Sequence, residues 1–211
     1  MSEIVVAGNK YIENCHIYDL EESIRASKYP MSTTTRVSTD ITNNTRQLGS
    51  CPTGTGHDNF LNGIRVAFDW TFSNKLSVEL ERYHFIDFVS SQSTMHRITK
   101  FDLNKQCNYY VDSRIIDIIQ EKINEYNRLS NLPGTHTDRQ KRMEELYIEI
   151  LYNIPSGFQL TARMTTNYRQ LKTIYFQRKN HRLPEWREFC KWLETLPYFP
   201  ELCLNKGGEK Y

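Results

Sequence analysis

The order of apolar and polar residues divides the 211-residue chain into elements. Ile4 to Ala7 is a short β-branched run ending at Gly8-Asn9, which predicts a strand and a turn. Leu20, Ile24 and Ala26 fall at helical spacing, so Leu20 to Tyr29 reads as a helix stopped by Pro30. Ser32 to Thr55 is rich in Thr, Ser and Asn, carries Gly49, Pro52 and Gly54, has no period and reads as a long surface loop. Ile64, Val66, Phe68, Trp70 and Phe72 then alternate with Arg65, Ala67, Asp69 and Thr71, the pattern of a half-buried strand. Ser73-Asn74 suits an N-cap, and Leu76, Leu80 and Tyr83 predict a helix over Lys75 to Asp87.

The second half reads as four helices. Ile115, Ile116, Ile118, Ile119 and Ile123 make an amphipathic stretch from about Ser113 to Leu129, broken by Asn131-Leu132-Pro133-Gly134. Met143, Leu146, Tyr147 and Ile150 mark a second, from Thr137 to Tyr152. Leu171, Ile174 and Tyr175 mark a third, expected from near Thr165 to Lys179. Pro184-Glu185-Trp186 opens a fourth, since proline is tolerated in a first helical turn, and it ends before Pro197. The polar tail, residues 205–211, is expected to fray. No internal repeat is visible. The expectation is a helix-rich α+β single domain over residues 1–211.

With 38% hydrophobic and 25% charged residues and a net charge of +2, the chain does not have the composition of a disordered one. No apolar run approaches the roughly 18 residues of a membrane span. The start, Met1-Ser2-Glu3-Ile4-Val5-Val6, lacks the basic and apolar regions of a signal peptide, so a cytoplasmic protein is expected. The five cysteines, Cys15, Cys51, Cys107, Cys190 and Cys203, contain no CxxC pair, which disfavours structural zinc and suggests free thiols. A nucleophilic thiol needs a cationic neighbour; Cys190, near Arg187 and Lys191, is the candidate, against an ordinary buried cysteine.

The small net charge is unevenly spread. Between Arg163 and Lys191 there are eight Lys or Arg (Arg163, Arg169, Lys172, Arg178, Lys179, Arg182, Arg187, Lys191) and two acids (Glu185, Glu188), so the rest of the chain is net acidic. Such a cluster suits an anion. A phosphorylated small molecule held by guanidinium groups, a polynucleotide stacked on Tyr168, Tyr175, Phe176 and Trp186, and a solvated face with ordinary ion pairs all fit this segment. There is no Walker loop, GxGxxG, GxSxG or HExxH, so side chains would have to do most of any phosphate recognition.

Thr165-Thr166-Asn167-Tyr168-Arg169-Gln170-Leu171, with Arg178 nine residues after Arg169, resembles the C-terminal motif of flavin-dependent (X-type) thymidylate synthases, an Asn-x-Arg near a helix start followed by an apolar face and an Arg. Ile154-Pro155 stands at that family's Leu-Pro. Gly56-His57, the strand from Ile64 and a helix ending in Arg82-Tyr83-His84 resemble its Gly-His, strand, and helix ending in Arg-His-Arg. Ser90 to Arg97 stands where the family has Ser-x-Asn-Glu-x-Ser-x-Arg. The matches span about Gly56 to Arg182. Tyr83 and His84 depart from the triplet, Ser93 replaces Glu, Met95 replaces Ser, and Leu151 falls where the family carries a nucleotide-contacting Arg. A second register would set Arg97 at the first Arg of the triplet, with Asn104 and Tyr110 matching.

The resemblance implies the X-type fold with a central antiparallel or mixed sheet. It implies conversion of dUMP to dTMP, with the methylene from methylenetetrahydrofolate, hydride from reduced FAD and reduction of the flavin by NADPH, in a homotetramer with sites between subunits. No enzymic cysteine nucleophile is needed. By motif position Arg82, His84, Asn167 and Arg169 bind FAD; Gln92, Ser93 and Arg97 line the nucleotide site; and Arg178 binds and polarises the pyrimidine. Each has an ordinary alternative. Arg82 can pair with Glu79, Asn167 can cap its helix, Arg169 and Arg178 can pair with Glu185, and His84, Gln92, Ser93 and Arg97 can be surface polar groups. The altered positions also suit flavin-dependent C5 modification of another pyrimidine nucleotide. A non-catalytic nucleic-acid-binding protein using the basic aromatic helices is the reading from a different class.

Overall fold

The computed structural model describes residues 3–134 and 136–205. Five strands, β1 (Glu3–Val6), β2 (Ile12–Tyr18), β3 (Arg65–Ser73), β4 (Asp87–Ser91) and β5 (Gln159–Asn167), form one sheet in the order β1-β2-β3-β5-β4. The pairs β1–β2 and β2–β3 are antiparallel. The helices are α1 (Leu20–Ala26), α2 (Asn43–Ser50), α3 (Asn74–Leu80), α4 (Thr94–Arg97), α5 (Leu103–Gln106), α6 (Ser113–Ser130), α7 (Thr137–Asn153), α8 (Tyr168–Arg178), α9 (Pro184–Leu193) and α10 (Phe199–Cys203). The expected α+β, helix-rich class with an antiparallel sheet is what the structure has. Internal contacts group the chain into two compact units: the described parts of residues 1–70, 82–90 and 162–211, and residues 71–81 with 91–161.

In the first unit the alternation of β3 does what its sequence predicts. Val66, Phe68 and Trp70 are buried. Phe68 and Trp70 pack on α9: Trp70 stacks on Phe189 with centroids 4.3 Å apart, and Phe68 meets Trp192 at 5.1 Å. Tyr168 of α8 is fully buried against Phe199 of α10, and its hydroxyl donates to Pro197 O at 2.7 Å.

A buried charge network fixes the segment before β3. Lys172 of α8 is 1% exposed and Asp58 0%. The ammonium donates to Asp58 Oδ2 at 2.8 Å, Gly49 O at 2.7 Å and Cys51 O at 2.6 Å, so each of its three hydrogens has an acceptor. Asp58 Oδ1 accepts from Arg169 Nε at 2.9 Å.

The network corrects the expectation of a loop over residues 32–55. Residues 43–50 are α2, started by a capping box between Thr42 and Thr45. Arg46 binds Glu201 of α10 at 3.1 Å. A Cβ on Gly49 would lie 2.4 Å from the Leu202 carbonyl oxygen, so only glycine allows that approach.

Other differences have local causes. β2 was not expected because a bulge between Glu13 and His16 breaks its alternation; Asn14 takes φ 47° there and donates to Asp69 Oδ2 at 2.6 Å. The helix expected to reach Asp87 stops at Leu80, and residues 87–91 are instead β4, exposed along its whole length and so without a periodic signal. The helix expected from Thr165 starts at Tyr168, because residues 159–167 are β5. Of the tail, only Asn205 lies within the described residues.

In the second unit α6 and α7 run as predicted. Ile119 and Ile123 pack with Ile98, Leu103, Ile150 and Phe158, and Ile116 sits against this cluster. Ile115 and Ile118, counted on the same face by sequence, are 42% and 55% exposed. Ser73 caps α3 as expected, accepting from Leu76 N at 3.3 Å.

The network makes a stability prediction. Asp58→Asn leaves two cations facing a neutral amide in a dry site, and should lower the unfolding free energy by about 3–5 kcal/mol in urea denaturation. Lys172→Met, which keeps the Arg169 partner for Asp58, should lower it less. A loss below about 1 kcal/mol for Asp58→Asn, the range of exposed pairs, would show that the network does not anchor this segment.

Candidate functional site

The residues singled out by sequence fall in both units. Arg82, His84, Asn167, Arg169 and Arg178 are in the first; Gln92, Ser93 and Arg97 are in the second. Helix α8 organises the first group, with Asn167 at its start, Arg169 in its first turn and Arg178 at its end.

Asn167 is the N-cap. Its Oδ1 accepts from Gln170 N at 3.0 Å, and its Nδ2 donates to Gln170 Oε1 at 2.9 Å. The residue is 6% exposed, so both ends of the amide serve the helix start. Arg169 spends Nε on buried Asp58 while its side chain keeps 30% exposure. The partner suggested by sequence was Glu185; the structure supplies Asp58, 111 residues away. Arg82 and His84 follow α3 and are exposed.

Arg178 is half-buried. Its guanidinium carbon lies 4.7 Å from the centre of the Tyr83 ring and 5.1 Å from the Trp186 ring. The Tyr83 hydroxyl donates to Gln177 Oε1. Trp186 is fully buried and packs edge-on to Trp70 at 5.5 Å.

In the second unit Gln92 extends the pairing beyond β4: its N donates to Thr161 O and its Oε1 accepts from Thr161 N, each at 3.0 Å. Ser93 stands at the N-cap of α4. Arg97 lines a cleft of about 680 Å³ with His96, Lys100, Tyr126, Met143 and Tyr147 among its walls. Leu151, at the place of the family's nucleotide-contacting Arg, packs against the isoleucine core.

The basic segment is less bare than its sequence count. The fold brings Asp69 to Arg163 at 3.1 Å and Asp58 to Arg169 and Lys172, and Lys191 pairs with Glu188 at 2.7 Å. For the site, sequence reasoning did not single out Asp58, counted Lys172 only within the basic cluster, read Tyr83 only as a departure from the triplet and offered Trp186 only as a stacking surface for a polynucleotide. Lys172 had a signal: it lies between Tyr168 and Tyr175 at helical spacing on an otherwise apolar face, which requires a buried partner. Among the described residues, no group of three or more His, Cys, Asp or Glu could hold a metal ion.

Three of the five thiols, Cys15, Cys190 and Cys203, are buried and held in the neutral form. Burial pushes Cys15 and Cys190 up to about 12, and Cys203 further in the same direction. For Cys190, desolvation and Glu194 outweigh the opposing fields of Arg178 and Lys179.

No family model matches the chain, and no curated protein matches it by sequence. Solved structures do match. Thymidylate Synthase X (ThyX) from Helicobacter pylori, solved with FAD and dUMP, is 13% identical, aligns over 92% of this chain and 97% of its own, and gives a TM-score of 0.66. A second structure of the flavin-dependent thymidylate synthase ThyX from that organism, also complexed with FAD and dUMP, is 13% identical over 97% and 99% with a TM-score of 0.63. The fold is that of ThyX. At this identity the likeness speaks for the ThyX fold along nearly the whole chain, as the motif resemblance implied.

A thiol with a pKa near 12 is ionised to only about one part in ten thousand at pH 8. Native protein treated with iodoacetamide at pH 8 should therefore leave Cys15, Cys190 and Cys203 unlabelled by mass spectrometry, and label them after unfolding. Rapid native labelling of Cys190 would contradict the burial argument.

Proposed function

We propose that the chain is a flavin-dependent thymidylate synthase-like enzyme that converts dUMP to dTMP, with methylenetetrahydrofolate as carbon donor and NADPH as reductant of bound FAD. The observation that carries the proposal is the agreement in fold over 92% of this chain with a protein solved with FAD and dUMP. The motif residues support it. Fold alone does not fix function, but Asn167, Arg169 and Arg178 stand on one helix in the order the family motif requires.

The residues present suit an anionic flavin in part. Arg82 and His84 are exposed, and Arg169 is held by Nε, so its guanidinium is oriented while its side chain stays 30% exposed. These groups would hold the cofactor diphosphate through charge-assisted hydrogen bonds. Asn167 would contribute through the helix start that it caps. Bound flavin would supply the hydride. Arg178 would bind the pyrimidine and stabilise the negative charge that makes C5 nucleophilic toward the carbon unit. Arg97, in a cleft of small-molecule size, would bind the nucleotide together with Gln92 and Ser93. With Gln92 Oε1 committed to Thr161, its part is the smallest of the three. A homotetramer is part of this reading.

The second reading, C5 modification of a different pyrimidine nucleotide, has its own observation. Leu151 packs against an apolar core where the family carries a cation, so nucleotide recognition differs at that point.

Purified protein should be yellow or become so with FAD, and with NADPH and methylenetetrahydrofolate should release tritium from C5-labelled dUMP faster than from dCMP. A colourless protein that takes up no flavin would refute both readings, and faster release from dCMP would select the second. Arg178→Ala should reduce turnover by about a hundredfold or more with an unchanged circular dichroism spectrum. Undiminished turnover would remove Arg178 from the reaction.

A further inference from the structure

Arg178 is held by groups that no motif position assigns. The Tyr83 and Trp186 ring centres are 5.5 Å apart with planes at 45°. With the guanidinium carbon 4.7 Å from one and 5.1 Å from the other, the three centres form a nearly equilateral triangle. The cation therefore rests in a notch between two tilted ring faces, not between parallel plates. Each face carries the negative side of an aromatic quadrupole.

Both rings are themselves fixed. Trp186 is fully buried among Trp70 and Phe189, with centroids at 5.5 and 6.0 Å. Tyr83 is anchored by its hydroxyl on Gln177, the residue next to Arg178, and by an edge contact to Phe85 at 5.3 Å. Arg187 Nη1 donates to the carbonyls of His181 and Arg182 at 2.6 and 2.7 Å, which holds the turn between α8 and α9 and so the approach of Trp186 to the end of α8. A long, flexible side chain at a helix terminus is thus given a rigid seat.

We propose that Tyr83 and Trp186 are positioning residues for Arg178: the two rings fix the plane and direction of its guanidinium for the pyrimidine. The inference rests on the role given to Arg178 above. Tyr83 stands at the middle of the altered Arg-Tyr-His triplet, so the departure from the family pattern acquires a task. The ring face is the part that meets the cation; the hydroxyl only adds to the hold that Phe85 already has on the ring.

The test uses full-length protein and three variants, Tyr83→Phe, Tyr83→Leu and Trp186→Phe. Tyr83→Phe keeps the ring and should keep turnover with dUMP near that of the parent. Tyr83→Leu should lose about tenfold in kcat while flavin affinity and melting temperature stay close to the parent values. Trp186→Phe, which keeps a weaker face, should fall between them, and it carries the test if Tyr83→Leu does not fold. The Nε–H resonance of Arg178, assigned through Arg178→Lys, should lie upfield of the other arginines through ring currents and move back in Tyr83→Leu but not in Tyr83→Phe. Parent-like turnover in Tyr83→Leu, or equal losses in Tyr83→Leu and Tyr83→Phe, would overturn the proposal. If the parent protein neither takes up flavin nor releases tritium, the functional reading fails by itself. The seat is then judged by the resonance: a shift confined to Tyr83→Leu supports it, and none overturns it.

Discussion

A lysine ammonium can be buried only if its hydrogens are answered and its charge is opposed. Lys172 meets both conditions with Gly49 O, Cys51 O and Asp58, and so couples the middle of α8 to the segment that leads into β3. Much of the first unit follows from that. Helix α2, eight residues long and poor in apolar side chains, is too short to persist on its own propensity. It is held by its carboxyl end on Lys172, by Gly49 against Leu202 and by Arg46 on Glu201. Arg169 is oriented by the second oxygen of the same aspartate. Apolar groups of equal volume in place of the network would leave the fold about as stable, since buried ion pairs are weak stabilisers in net terms. What it supplies here is a defined position for a segment with little apolar surface to place it.

How far the sequence foretold the fold depended on whether an element has two chemically different faces. Strand β3 does, with Val66, Phe68 and Trp70 inward, and its alternation was plain. Helices α6 and α7 show their core residues at helical spacing. Strand β2 has the same kind of inward residues, Ile12, Cys15 and Ile17, but the extra residue at the bulge shifts their phase. Strand β4 has no buried face at all, and the inward positions of β5 include Ala162 and Thr166, too small or too polar to mark a strand. Helix α2 was missed for a different reason: what holds it lies in α8 and α10, far along the chain. The candidate site divides in the same way. Asn167, Arg169 and Arg178 were legible because one helix carries them. Asp58 was not, because its partner is 114 residues away and only the fold joins them.

The same pairing changes the meaning of the basic segment. By sequence it holds eight cations and two acids. In the fold Asp58 and Asp69 enter it, and Lys172 is wholly internal. A diffuse positive face suited to a polynucleotide therefore becomes a set of individually oriented cations. Arg169 is aimed by a carboxylate and Arg178 by aromatic faces. Directed guanidinium groups are what recognition of a small anion requires, whereas a polyanion is bound by number and spread of charge.

A chain 13% identical to another can share its fold because a fold asks for classes of residue: apolar at inward positions, a capping side chain, a glycine where backbones meet. A reaction asks for particular atoms in particular places. On the proposed reading, the end of α8 meets the second demand with different neighbours from those of the family motif. Tyr83, at the centre of the altered triplet, presents a ring face to Arg178, and Trp186 of α9 presents another. The two rings touch each other as well as the cation, so a change in either alters the seat of the guanidinium. A substitution at Tyr83 is therefore not independent of the residue at 186, and motif positions judged one at a time understate what the pair preserves.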